Sequence, residues 1–359
     1  MKLHTDFFKR TFHFNFDART SRGRMKEKHS WFVKVWSEDD PGCIGLGECG
    51  PLPGLSVDDR PDFEDVLKDC LRHLNDSSQA VDSVVPTGFP SIRFGIETAL
   101  LDLEHGGQRK IYDNSFFKGT PIPINGLVWM GDLDSMLQQV SMKIEKGFRC
   151  IKIKVGGLNF EKECDILQYI RSKYYRENIT IRLDANGAFK PDEALYKLNE
   201  LSRFTIHSIE QPVKAGSDML PELCQKSPIP IALDEELIGV EMHPEKINVL
   251  DRIKPAFIIL KPTLHGGLKS CAEWIRLAEE RQIGWWMTSA LESNIGLNAI
   301  CQFTANYPVT LPHGLGTGQL YDDNIDSPLT VSAGEIVYDQ KKPWLLGEPD
   351  GPTEEAIVS

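Results

Sequence analysis

The sequence predicts an α/β protein, a (β/α) barrel behind a smaller α+β domain, and three observations carry that prediction. From about position 121 onward, short apolar runs recur at steps of roughly 25 to 30 residues, most of them separated by stretches with helical patterning. Residues 1–120 lack that beat and mix alternating, strand-like runs with amphipathic helices. No G-x-G-x-x-G follows the first strand of the repeating part, which weakens the doubly wound, dinucleotide-binding alternative that shares the same spacing.

Within residues 1–120, TFHFNF and WFVKVW alternate as strands, while DFEDVLKDCLRHL and SIRFGIETALLDLE space their apolar residues as helices. GLGECGPLPGLS, dense in glycine and proline, reads as a loop. The barrel is expected over residues 121–320, with β runs PIPINGLVWM, CIKIKVGG, ITIRLDANG, IHSIEQPV, IPIALDEEL, AFIILKPTL, IGWWMTSALES and TLPHGLGTG. DLDSMLQQVSMKIEKG and GGLKSCAEWIRLAEERQ are helices between them. Trp285 and Trp286 are neighbours in a strand and cannot both point inward, so at least one belongs to packing. The tail, 321–359, contains SPLTVSAGEIVYD and is expected to return as strands against the first domain.

Composition narrows the function. The 40 basic residues are outnumbered by 52 acidic ones and no basic run compensates, so a nucleic-acid partner is not expected. The eight cysteines form no C-x-x-C pair and no metal-ligand rhythm with the nine histidines, which suits reduced, buried thiols. No apolar run nears the roughly 20 residues that span a bilayer, and MKLHTDFFKRTFHF lacks a secretory pattern. We therefore expect a cytoplasmic protein acting on a small molecule, without a membrane partner, and the reading leaves a homo-oligomer open.

The chemistry lies where the strands end. In a barrel, alternate residues face inward and active sites sit at the C-terminal ends of the strands. The last inward polar positions are Lys152 and Lys154, then Asp184, Glu210, Asp234 and Lys261, at separations of 24 to 30 residues from Lys154 on. Any one has a plain explanation as a helix cap or a solvated lysine, but five consecutive strands ending this way do not. Three carboxylates meeting at a barrel mouth repel one another unless a cation sits among them, and all-oxygen donors select a hard ion such as Mg²⁺, with Mn²⁺ a substitute. Asn186 shares the inward phase of Asp184 and is placed to orient it or the substrate.

A lysine acts as a base only when neutral, so its pKa must fall from about 10.4 to near 7, at a cost of about 4 kcal/mol. A second lysine two residues away and a nearby divalent ion both push that way, which makes Lys152 the residue that tunes Lys154. Lys261 would approach from the other side. This assembly favours removing a proton next to a carboxylate, with an enediolate forming.

On K-x-K at 152–154, DANG, IEQP, LDEE and KPTLHGG, the chain resembles the muconate-lactonizing branch of the enolase superfamily, most closely its o-succinylbenzoate synthases. The resemblance implies a modified TIM barrel of the (β/α)7β type with an N-terminal α+β capping domain. It implies Lys154 as base with Lys152 its neighbour, Asp184, Glu210 and Asp234 as metal ligands, and Glu235 as an adjacent acid outside that set. Lys261 would be the opposite lysine, a cation facing the enediolate in a synthase and a second acid/base in a racemase. INGLVWMG, K-P-T-L at 261–264, S-A-L-E-S at 289–293 and H-G-L-G-T-G at 313–318 resemble the synthase form, which makes Ser289, Ser293 and Gly314 candidate substrate contacts. The loop around Thr20–Arg24 matches a family specificity loop in place, not in residues.

The reaction implied is a dehydration that leaves an aromatic ring. The closest alternative is an N-acylamino acid racemase or dipeptide epimerase of the same branch, with muconate cycloisomerisation behind it. A non-catalytic metal-binding barrel is the alternative of another class. The GLGTG stretch could cradle a phosphate, but a tight turn near the substrate fits it better, and His265 and His313 read as turn residues rather than metal ligands.

Overall fold

The computed structural model of the chain describes residues 2–20, 23–76, 81–174 and 178–346, without the side chains of 17–20, 23–24 and 76. The side chains of the loop around Thr20–Arg24 thus lie outside the described residues.

Strands β1 (Leu3–Thr20), β2 (Gly23–Ser37) and β3 (Asp40–Cys49) form an antiparallel sheet in that order. Helices α1 (Phe63–Asp76), α2 (Val81–Val84) and α3 (Pro90–Glu104) follow. The pleat explains the text of β2. Val33 and Val35 turn to the helices, packing with Leu67, Ile92 and Ile96, whereas Phe32 turns the other way to Phe12, Leu291 and Tyr321. Both faces of this sheet are therefore buried, one against its own helices and one against the barrel.

GLGECGPLPGLS, expected to be all loop, divides in two: Gly45–Cys49 ends β3, and the chain leaves the sheet only from Gly50. Its first glycines are packing residues. Helix α3 lies so close across β3 that a Cβ at 45 would overlap the Ala99 carbonyl oxygen, and one at 47 that of Gly95.

After β4 (Ile122–Pro123), the barrel strands are β5 (Gly126–Val128), β6 (Cys150–Lys154), β7 (Thr180–Asp184), β8 (Ser208–Glu210), β9 (Ile231–Leu233), β10 (Phe257–Leu260) and β11 (Gly284–Met287). They are parallel and hydrogen-bonded in chain order. One helix follows each: α4 (Leu133–Glu145), α5 (Phe160–Lys173), α6 (Pro191–Ser202), α7 (Leu220–Lys226), α8 (His243–Ile253), α9 (Gly267–Glu279) and α10 (Asn294–Thr304).

The eighth run is no regular strand, but it closes the ring. His313 bridges Ile124 and Gly314 bridges Thr288, both parallel, with Gly314 N–H donating to the Met287 carbonyl at 2.8 Å and Asn125 N–H to that of His313 at 2.9 Å. The first run also splits, since Ile122 and Pro123 leave the barrel to pair with β13 (Glu335–Tyr338), itself paired with β12 (Leu329–Ser332). The segment between the ring and that hairpin runs past the first sheet, where Asn15 N–H donates to Leu320 O and Phe14 bridges Tyr321.

Along the barrel strands, Ile151, Ile153, Ile181, Leu183, Ile209 and Ile258 join the large core with the helices. The opposite phase fills the interior: Ala232, Ile259 and Trp286 pack together, with the Arg182 guanidinium 3.9 Å over the Trp286 ring. Trp285 points out of the ring and meets Tyr307 edge-on, so the tryptophan pair divides between interior and exterior. Among the described residues no helix is long and apolar enough to cross a membrane.

Gly47→Ala forces a methyl into the Gly95 carbonyl, and we expect a loss of about 3 kcal/mol. A urea denaturation midpoint equal to wild type would show that the helix has room to yield.

Candidate active site

In a ring of eight positions, β6 and β10 stand four places apart in either direction, so the lysines at their ends face each other across the mouth. The strands between them on one side are β7, β8 and β9, which carry or precede the three carboxylates. In-register pairing fixes the neighbours, with Asp184 beside Lys154 on one side and Glu210 on the other. The opposite arc, made by β11, residues 313–314 and β5, is left for a ligand.

The structure brings Lys152, Lys154, Asp184, Asn186, Glu210, Asp234 and Lys261 together. Lys152 Nζ bridges two carboxylates, donating to Asp184 Oδ2 at 2.8 Å and to Glu210 Oε2. Lys154 Nζ donates to Asp184 Oδ2 and Asn186 Oδ1, each at 2.7 Å, and Asn186 Nδ2 donates to Glu235 Oε1 at 3.0 Å. Lys261 Nζ sits on both oxygens of Asp234 at 2.7 and 2.5 Å. Gln211, the middle residue of E-Q-P, holds the next turn: its Oε1 accepts from the N–H groups of Asp234 and Glu236.

Burial and charge pull against each other here. Burial by itself lowers the pKa of Lys152, yet the attraction of Asp184, Glu210 and Asp234 outweighs it and holds the ammonium above the usual lysine range. Lys261 is raised in the same way by Asp234. Burial would raise Asp184 and Asp234, but Lys152 and Lys154 bring the first below the carboxylate range and Lys261 the second. Glu210 goes the other way. Burial, with the repulsion of Asp184 and Asp234, raises it despite Lys152.

The two strand-end histidines are locked into the backbone. His265 Nδ1 accepts from Lys261 N–H at 3.0 Å and His313 Nδ1 from Met287 N–H at 2.9 Å, and burial lowers both pKa values to about 3. Each is neutral and its Nδ1 lone pair is already used.

Above the ring lies a cavity of about 710 Å³, lined by Lys152, Lys154, Asp184, Asn186, Glu235 and Lys261 on the charged side. Ser289 and Gly314 line the opposite side. Ser293 does not line it. As N-cap of α10 it accepts from Ile295 N–H and donates its hydroxyl to Glu48, so its polar atoms are spent inside the protein. Lining residues the sequence did not single out are Leu52 and Leu55, Trp129 of the quoted INGLVWMG, Thr317, and Leu291, whose φ of +64° brings it over the mouth. Only that backbone conformation, invisible in the text, distinguishes Leu291.

Among the described residues no three His, Cys, Asp or Glu side chains gather as a ready cation cage. Lysine nitrogens occupy the space: Lys152 stands between Asp184 and Glu210, and Lys261 on Asp234. The donor set nonetheless suits a hard divalent ion. It is all oxygen, it already accommodates positive charge between its members, and Glu210 Oε1 is buried with no hydrogen-bond partner.

Four similarities to known proteins bear on these features. Residues 135–344 match the family model described as enolase C-terminal domain-like. The o-succinylbenzoate synthase of Desulfotalea psychrophila is 42% identical over 353 residues, covering 88% of this chain and 94% of that protein. The crystal structure of MenC from Desulfotalea psychrophila LSv54 superposes with a TM-score of 0.84 at 38% identity, over 94% of this chain and 100% of that one. The L-Ala-D/L-Glu epimerase from Bacillus subtilis, in a substrate-liganded complex, shares the fold with a TM-score of 0.81 at 20% identity, over 97% and 98% of the two chains.

Lys152→Met leaves two buried carboxylates without their shared ammonium, and we expect a loss of about 3 to 5 kcal/mol in EDTA. Millimolar Mg²⁺ should recover more of the melting temperature in this variant than in wild type. Equal Mg²⁺ shifts in both proteins would mean that the ion and the ammonium do not share a place.

Proposed function

The chain belongs to the enolase C-terminal domain-like family, in its muconate-lactonizing branch, and from that membership we propose that it works as an o-succinylbenzoate synthase. It is a lyase, which eliminates water from 2-succinyl-6-hydroxycyclohexa-2,4-diene-1-carboxylate to give o-succinylbenzoate, a step of menaquinone biosynthesis. The observation that carries this reading is the pair of lysines facing each other across a mouth whose intervening arc is three carboxylates.

Enolase-superfamily sites use a lysine or histidine base with one or two Mg²⁺ ions; Asp184, Glu210 and Asp234 would hold such an ion, which supplies positive charge against the substrate carboxylate and so acidifies the neighbouring C–H. Lys154 Nζ, half-buried at the cavity wall, takes that proton as a neutral amine, and the C–H electrons pass into the carboxylate as an enediolate. Asn186, anchored to Glu235, keeps the amine aimed. Lys152 stays an ammonium two residues away, held between Asp184 and Glu210. Lys261 presents its ammonium to the enediolate from the far side. The new ammonium of Lys154 then returns its proton to the departing hydroxyl on the same face as the C–O bond breaks, releasing water and an aromatic ring. Leu52, Leu55, Trp129 and Leu291 shield these steps from bulk water.

The wall opposite the carboxylates supports an anionic rather than a zwitterionic substrate. Thr288, Ser289, Ala290, Leu291, Gly314 and Thr317 there offer hydroxyls and apolar surface, and among the described residues this wall has no acid to receive the ammonium of a dipeptide. The lining acid Asp132 is already the N-cap of α4, accepting from Ser135 N–H.

A spectrophotometric assay with the cyclohexadiene substrate should show turnover that EDTA abolishes and Mg²⁺ restores. Lys154→Ala should lower kcat by about 10³-fold while the protein stays folded. Near-normal turnover by that variant would remove Lys154 from the base position. Incubation of N-acylamino acids or dipeptides in D₂O should give no comparable exchange of the alpha proton, and rapid exchange with no dehydration would favour the epimerase.

A further inference from the structure

Two barrel helices next to the site have N-termini held by a glutamate from the first 120 residues: α9, whose N-cap residue has no side-chain cap, and α10, in addition to its own Ser293 cap. The N-cap of α9 is Gly266, which has no side chain to offer, and Glu97 of α3 accepts from Leu268 N–H at 2.5 Å and Lys269 N–H at 2.9 Å. At α10, Glu48 of β3 accepts from the Ser293 N–H at 2.9 Å, the Ser293 hydroxyl at 2.6 Å and the Gly296 N–H at 2.9 Å, and from Ser30 at 2.7 Å. Negative charge at helix N-termini is favourable in itself. The seats are shaped for it: a Cβ at Gly267 would overlap Glu97 Oε2, and one at Gly296 would stand 3.0 Å from Glu48 Oε2. The second glycine of KPTLHGG thus makes room for a carboxylate from the other part of the molecule.

These two helices follow the loops that carry Lys261 and Ser289. From Lys261 to the capped turn the chain is tightly wound, with Leu264 N–H and His265 N–H donating to Lys261 O, Gly267 N–H to Pro262 O, and His265 Nδ1 returning to Lys261 N–H. Thr263 in this turn donates to Glu292, whose other oxygen accepts from Ala290 N–H at 2.8 Å. The two loops are therefore tied to each other as well as to the two glutamates, and there is little slack for Lys261 to move alone.

We propose that Glu97 and Glu48 are positioning residues for the dehydration, setting where Lys261 and the 289–291 loop stand over the substrate; this rests on the reading of the reaction given above. A displacement of about 1 Å of a group that acts only on the enediolate can cost on the order of 100-fold in rate, with little effect on ground-state binding.

The test compares wild type, Glu97→Ala and Glu97→Gln as full chains with Mg²⁺ and the cyclohexadiene substrate, together with amide hydrogen exchange. Glu97→Ala should lower kcat by about 10- to 100-fold with KM within about threefold, and Glu97→Gln, which keeps one acceptor oxygen, should recover part of it. Exchange should quicken together at Leu268 and Lys269 and at Leu264 and His265. Unchanged kcat with a lowered melting temperature would make Glu97 a purely structural cap and overturn the proposal, as would faster exchange confined to 268–269. Inactivity of the wild type would instead overturn the assigned reaction, and the exchange pattern would still decide whether the cap reaches the Lys261 turn. Glu48→Gln, which keeps one acceptor oxygen, should give a partial, kcat-dominated loss like that of Glu97→Gln.

Discussion

Three carboxylates forced together inside a closed ring of strands cannot remain charged without positive charge among them, and much of this molecule follows from that constraint. Asp184, Glu210 and Asp234 are each almost wholly buried at the ends of consecutive strands, where water cannot screen them. The chain answers with Lys152 between two of them and Lys261 on the third. These two ammonium groups, with Lys154 beside Asp184, are also the side chains that the proposed reaction draws on, so the demands of stability and of the proposed chemistry fall on one cluster. A divalent ion fits this arrangement as one more cation in a place built for cations.

The constraint extends downward and outward. Beneath the ring, Arg182 shares the inward phase of Asp184 but is stacked on Trp286 and tied to the Pro312 carbonyl, so the interior below the site is filled and its charge turned away. Around the rim, strand ends must be held against the repulsion they carry. Gln211 pins the Asp234 turn, His265 pins the backbone of Lys261, and His313 that of Met287. These contacts are made to backbone N–H groups, and the two buried histidines that make them are neutral.

The first 120 residues are more than a lid. One face of their sheet packs on the barrel through Phe12, Phe32 and Leu46 against Leu291, Ile295 and Tyr321, and their glutamates reach the N-termini of two barrel helices. Apolar packing fixes the distance between the two parts, and the glutamate caps fix the register. Close approach also accounts for glycines in each place: within the first part Gly45 and Gly47 seat α3 on β3, and between the two parts Gly267 makes room for Glu97.

By itself the sequence determined what is periodic. The strand-helix beat, the inward phase of Lys152, Lys154, Asp184, Glu210 and Asp234, and the character of a barrel with a preceding α+β domain are all local properties, because a pleat repeats every two residues and a strand-helix unit at a near-constant step. Tertiary structure alone decided what depends on approach between distant residues. It made Gly45 and Gly47 helix seats and closed the eighth position with two bridges rather than a strand. It sent Trp285 out and Trp286 in, turned Leu291 over the cavity at positive φ, and spent Ser293 on a helix cap. Apart from the alternation of the tryptophan pair, which the pleat imposes, none of these has a period to read, since each is set by which backbone or side chain arrives from elsewhere in the chain.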